Sequence, residues 1–374
     1  MASLTSVLPS NGSPIACDPC LARPLLGPHP LAHAFARPAK PILLSSNETH
    51  SPCVIVRAHF IETSAVETST TTPATANSNW DSFSAAASGE WDGVTVTFDR
   101  DGEAQQLPEY YVPQAYRDWE VQLYDWTSQC SMLADATGLQ YTLRRLMPTV
   151  GCEADAVAFT EDLQAMFTPG GAAITALGGY STGPFADLSS KDLFKAQSEH
   201  CFPLEAAGQR IRIVHNFKRM GPEGVWKVLS VEVHRERRDG PHNGRRELAG
   251  CGGGMDTFSQ TPVVEISSLK GMWKVIEGFR HVAVDGQQDA KVGYTAGVDT
   301  STRIDIASLP GLIGLRLGAW SSAQIVGDAD VEIVAGLLLP NGKMKAVRQS
   351  IKNGKLNTTE LMTLEKEKLD VITT

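Results

Sequence analysis

The sequence predicts a mainly β protein of two tandem antiparallel barrels, with a short helix ahead of the first. Three observations carry this. A Gly-x-Trp motif heads an alternating segment twice, at Gly89-Glu90-Trp91 before Val94-Thr95-Val96-Thr97-Phe98 and at Gly271-Met272-Trp273 before Lys274-Val275-Ile276. Apolar residues recur with period two through much of the chain, the spacing of strands with one apolar face. Two Asn-Gly pairs, Asn341-Gly342 and Asn353-Gly354, mark tight hairpins. A chain of 374 residues exceeds one typical core and suits two domains.

Residues 1–58 belong to neither domain. They hold two acids, Asp18 and Glu48, against Arg23, Arg37, Lys40 and Arg57, among many Ser, Pro and Ala. That acid-poor, weakly basic composition is that of an organellar transit peptide. A secretory signal needs one compact apolar core, whereas Leu25-Leu26 and Ile42-Leu43-Leu44 are interrupted by prolines. The mature chain is therefore expected to begin near His59. Residues 59–78, rich in Thr, Ser and Ala, read as a disordered leader.

A short helix over 79–87 comes next, with Asn79 as its N-cap and Trp80 and Phe83 three apart on one side. The first barrel spans 79–238. Its strands include Trp119-Val121-Leu123, Leu139-Tyr141-Leu143, Ile211-Ile213-His215 and Leu229-Val231-Val233, each alternating with polar residues. Asp187 to Lys195 is the least strand-like part and suits a helix. Residues 239–262, with the glycine cluster around Cys251 and Pro262, form the interdomain loop, a length uncommon inside a compact domain. The second barrel spans 263–369, and 370–374 is a tail. Within it Val331 to Leu339, Lys343 to Lys352 and Leu356 to Leu364 read as a three-strand meander, the connectivity of an up-and-down barrel.

Removing residues 1–58 takes the basic residues from 33 to 29 and the acids from 42 to 40, so the mature chain carries a net charge of −11. Such an acidic chain is a poor general nucleic-acid binder. The best apolar runs, such as Ile333 to Leu339, are far short of the ~20 residues of a membrane-spanning helix. No nucleophile elbow, zinc helix or phosphate loop is present. Gly178-Gly179-Tyr180-Ser181-Thr182-Gly183 is glycine-rich but precedes Pro184-Phe185 rather than a helix, so it reads as a strand connection. Cys17-Asp18-Pro19-Cys20 and Cys53 lie in the leader. Cys130, Cys152, Cys201 and Cys251 are too dispersed for a zinc site and read as buried apolar residues, with Cys251 exposed among glycines as the one exception. His215 and His234 fall on strands and read as core histidines. No catalytic, metal or cofactor residue is assigned.

The strongest charge feature is the basic run holding Arg235, Arg237, Arg238, Arg245 and Arg246, diluted by Glu236, Asp239 and Glu247. These five arginines are the candidate contact patch for an acidic loop of a partner, an anionic lipid surface or RNA, the last disfavoured because no aromatic residues interleave, against the plainer reading of a solvated loop. Trp91 and Trp273 are expected as buried architectural residues, with Arg210 or Arg212 over the first indole and Arg348 over the second.

Asn79-Trp80-Asp81-Ser82-Phe83, Gly89-Glu90-Trp91-Asp92-Gly93, Gln209-Arg210-Ile211-Arg212-Ile213-Val214 and the Leu337 to Leu364 meander together resemble a calycin-like family of photosynthetic organisms, over roughly residues 79–366. Its plant members include the chloroplast low photosystem II accumulation proteins. The resemblance implies two lipocalin-like (calycin) antiparallel β-barrels in a stromal protein, loosely attached to thylakoids. It also implies a non-enzymatic assembly role: helping the chlorophyll-binding inner-antenna subunit psbC enter photosystem II, with a sister assembly factor and a thylakoid membrane insertase as partners. No catalytic residues come with it. Two other functions stay open: a carrier of a pigment or lipid in a barrel cavity, and a lyase that attaches linear tetrapyrroles.

Overall fold

The computed structural model describes residues 75–150, 158–185, 187–204, 208–221, 224–244, 258–283 and 295–367. The expected transit peptide, most of the leader and the tail lie outside them, as do Cys152, Cys251, Arg245 and Arg246. The described part is mainly β. Helix α1 (Thr75–Ala87) leads into β1 (Gly89–Phe98); α2 (Gln114–Asp118) precedes β2 (Asp125–Asp135), β3 (Gly138–Leu146), β4 (Phe159–Phe167), β5 (Ala173–Ile174), β6 (Tyr180–Thr182), β7 (Lys195–Pro203), β8 (Gln209–Arg219) and β9 (Trp226–Gly240). After α3 (Ile266–Leu269) come β10 (Met272–Val282), β11 (Thr295–Gly297), β12 (Arg303–Asp305), β13 (Ile313–Gly314), β14 (Ala319–Ile325), β15 (Val331–Leu338), β16 (Lys343–Lys352) and β17 (Lys355–Lys366).

The first nine strands form one antiparallel sheet in the order β4-β3-β2-β1-β9-β8-β7-β6-β5, and the rest form a second, β11-β10-β17-β16-β15-β14-β13, with β12 also on β10. Both are meanders curled until first and last strands pair, β1 with β9 and β10 with β17. Each stays open at mid-sequence, between β4 and β5 and between β11 and β13, among the described residues. The two sheets are therefore half-barrels. The strands at the openings are two or three residues long in β5, β6, β11 and β13, too short to carry a closing ladder.

Three apolar cores result. One fills the concave side of the first sheet around Trp91, Met132 and Leu143, and another that of the second around Trp273, Trp320 and Leu364. The third lies between the sheets and joins Val96, Ile213 and Val233 of the first to Ile333, Ala335 and Val347 of the second. The strands that meet there bury both faces, so β8 hides Arg210 and Arg212 as completely as Ile211 and Ile213. The expected polar, solvated face of this strand is instead turned into the half-barrel interior.

The Gly-x-Trp motif recurs as a structural unit. In both instances a helix ends, a glycine turns the chain, and the indole Nε1 donates to the carbonyl four residues earlier: Trp91 to Ala87 at 3.2 Å and Trp273 to Leu269 at 2.9 Å. Gly318-Ala319-Trp320 likewise heads a strand, β14. Gly318 has φ +83°, and a Cβ there would sit 2.4 Å from the Leu338 carbonyl, so only glycine fits.

The meander over 331–366 obeys its hairpin signals. Asn353 and Gly354, at φ 51° and 80°, make the two-residue turn, and Gly342 at φ 78° closes the other. Four expectations need correction. Residues 119–124 are not a strand: Pro108 and Pro113 each start a helical turn and Glu120 is left-handed at φ 54°, which leaves Trp119 and Val121 exposed. Residues 187–194 form turns rather than a helix, held by Asp187 accepting from Ser189 and by the Leu188 amide donating to Gly354. Leu229 points outward because a bulge opposite Asn216 and Phe217 skips it. Helix α1 starts at Thr75, so Asn79 lies inside the helix rather than capping it.

Candidate functional site

The concave side of the first sheet holds a buried charged centre. Arg210 and Arg212 share a face of β8 two residues apart, Glu236 comes from β9 and Glu199 from β7. Arg212 grips Glu236 with two nitrogens, Nε at 2.9 Å and Nη2 at 2.7 Å, while Arg210 Nε donates to the same carboxylate at 2.6 Å. Arg212 Nη1 reaches Glu199 at 2.6 Å, and the hydroxyls of Tyr141 and Tyr180 donate to Glu199 at 3.0 and 2.5 Å. The Arg210 guanidinium lies 3.7 Å from the Trp91 ring centroid and donates to Met132 Sδ. Two cations thus face two anions, all but sealed from water.

The environment keeps the ion pairs charged. Burial alone would raise the Glu236 carboxyl, but Arg210 and Arg212 hold it well below the ordinary carboxylate range. Burial would lower Arg212, yet Glu236 and Glu199 outweigh it and keep it charged. Burial, with Glu199 adding to it, raises Tyr141 and Tyr180 well above the usual phenol range. It also pushes the thiols of Cys130 and Cys201 up to about 12, which leaves them protonated and unreactive. His234, held through Nδ1 2.8 Å from Thr95 Oγ1, is kept neutral by burial and by Arg212. A general acid or base works best with a pKa near the working pH, and none of these shifted groups has one. The centre is suited to fixing strand register and curvature.

A neutral histidine, His215, also links the two sheets. His200 and His215 lie 5.2 Å apart in the layer between them; His200 Nδ1 meets Ser181 Oγ at 2.8 Å and His215 Nε2 meets Ser321 Oγ across the layer at 2.6 Å.

Of the five arginines of the expected contact patch, Arg245 and Arg246 lie outside the described residues. Arg235, Arg237 and Arg238 belong to strand β9 rather than a loop. Arg238 runs along the end of α1, donating to the carbonyls of Ala86 at 3.4 Å and Ser88, and its guanidinium sits 5.7 Å from the Trp91 centroid. It is thereby engaged in capping the helix. Arg235 is half-buried and Arg237 exposed. Trp91 and Trp273 are 5% and 1% exposed. Of the expected cation partners, Arg210 covers Trp91, whereas Arg212 lies over Tyr141; Lys366 rather than Arg348 lies near Trp273, at 5.7 Å. Arg348 is drawn toward Glu360 instead.

An open crevice of about 1040 Å³ lies where α1 and β5 face β10, β16 and β17. Its walls include Trp80, Ile174 and Leu177 on one side and Phe279 and Leu361 on the other. Leu177 is 73% exposed. Sequence reading missed this surface because its residues are dispersed over seven elements, and it missed the charged centre because Glu199 and Glu236 look like solvated strand positions. The alternation Arg210-x-Arg212 beside Glu236 was the available signal.

No family model matches the chain and no curated protein matches it. Among solved structures, the chain is similar to a protein of unknown function from the DUF3598 family of Nostoc punctiforme, at 17% identity and a TM-score of 0.43, covering 77% of this chain and 99% of that one.

Proposed function

We propose that this chain is a non-enzymatic chloroplast assembly factor of the low photosystem II accumulation type, built from two lipocalin-like units. In this reading it works in the stroma and at the thylakoid surface. It assists incorporation of psbC into photosystem II together with a sister factor and a membrane insertase. The supporting observation is the contrast between its buried centre and its open surface. The charged groups of the buried centre are consumed by one another, while a largely apolar crevice stays open. A protein that recognises rather than transforms needs that arrangement. The transit-like leader and the family resemblance supply the compartment and the partner. Among the described residues no helix is long and apolar enough to cross a membrane, which suits peripheral association.

A carrier of pigment or lipid is the second reading, favoured by the same crevice. A cargo inside the first half-barrel would have to displace Trp91, Tyr141 and both buried arginines. Depleting the protein from plastids tests the proposal. Slowed assembly of newly made psbC, with its synthesis unchanged, is expected; normal photosystem II assembly in its absence overturns the proposal.

A further inference from the structure

The crevice carries three features that together select an occupant. Strand β5 ends the first sheet, and residues 172–175 line the crevice with the apolar side chains of Ala172, Ala173 and Ile174. Its rims bear Asp81 on α1 and Glu277 on β10, both exposed and without an ion-pair partner among the described residues. The one lysine of its walls, Lys345, is already donating to the Pro203 carbonyl. His281 also lines the wall. The volume of about 1040 Å³ lies just above the range of about 300–1,000 Å³ common for small-molecule pockets.

From this juxtaposition of apolar walls and carboxylate rims we infer that the crevice binds an apolar peptide with basic flanks. The peptide lays its apolar side chains between Ile174, Leu177 and Phe279 and sets its flanking cations against Asp81 and Glu277. Burial keeps His281 neutral, so it does not repel those cations. Apolar segments with basic flanks are the chemistry of membrane-protein spans and their cytoplasmic ends, so the inference deepens the proposed assembly role and rests on it.

The test uses the full-length protein and fluorescein-labelled ten-residue peptides of alternating Leu and Thr, flanked by two lysines or two glutamates at each end, monitored by anisotropy. The lysine-flanked peptide should bind at micromolar concentration and the glutamate-flanked one at least tenfold more weakly. Leu177→Asp should weaken binding at least tenfold with an unchanged melting curve, since the side chain is exposed. Asp81→Asn with Glu277→Gln should abolish the preference between the two peptides. Equal binding of both peptides, indifference to Leu177→Asp, or affinity for neutral lipid vesicles alone would each overturn the inference. Loss of peptide binding alongside intact capture of psbC in plastids removes the crevice and leaves the assembly role. Peptide binding without any effect on photosystem II does the reverse.

Discussion

Replacing Glu236 by Gln removes one negative charge from the buried centre and leaves two guanidinium groups facing Glu199 alone. Three hydrogen bonds, of 2.6, 2.7 and 2.9 Å, lose their ionised acceptor. Removing one member of a buried pair costs about 3–5 kcal/mol, because the partner charge stays desolvated and unmatched. For a domain of this size that lowers the melting temperature by roughly 6–20 °C. Urea unfolding at pH 7, monitored by tryptophan fluorescence, measures it. The pH dependence adds a second readout. The folded carboxyl lies below its unfolded value, so its contribution is present above pH 4.5 and is lost as pH falls further. The variant should lack that portion of the acid limb. A fully apolar replacement, Glu199→Leu, Arg210→Met, Arg212→Met and Glu236→Leu together with Tyr141→Phe and Tyr180→Phe, should recover most of the stability, since neither a charge nor an unpaired hydroxyl is then buried. A Glu236→Gln loss below about 1 kcal/mol, the scale of a single net hydrogen bond, would refute the idea that these four groups depend on each other.

Four further outcomes rest on the same physics. His215 is pushed down to about 3 by burial, so the unfolded chain takes up its proton first and stability should fall as pH drops below about 6.5; His215→Gln should flatten that slope in equilibrium unfolding. Gly318→Ala forces a Cβ against the Leu338 carbonyl in a left-handed backbone and should cost about 1–3 kcal/mol in the same assay. Arg238→Ala should leave the sheets intact but raise amide exchange in α1, since the helix end loses its guanidinium cap. Cys130 and Cys201 should resist a thiol reagent at pH 8 in the native protein and react at once in urea.

Much of the architecture was legible where pattern and turn chemistry agree. Asn353-Gly354 can adopt the positive φ pair that a two-residue hairpin requires, and the flanking strands carry period-two burial; both signals are local. Gly-x-Trp was legible as a strand head, though its helix-to-indole hydrogen bond was not. Alternation misled at Trp119-Val121-Leu123, because the prolines upstream and the left-handed Glu120 override it. It misled again at Leu229, where a single bulged residue breaks the alternation along β9. The charged centre escaped notice for a different reason. Burial of Arg210, Arg212, Glu199 and Glu236 depends on curling β7, β8 and β9 around a common axis, and on packing their convex side against the second sheet. Neither is encoded in the spacing of any one strand. The crevice is further still from the sequence, since Trp80, Ile174 and Phe279 meet only after both sheets have formed.

The most direct measurement is capture of the mature protein from plastids during pulse labelling, with the newly made polypeptides and the absorption spectrum of the eluate recorded together. An assembly factor brings down newly made psbC without stoichiometric pigment. Pigment at one per chain, with no photosystem II core polypeptide, contradicts the assembly role and makes the protein a carrier.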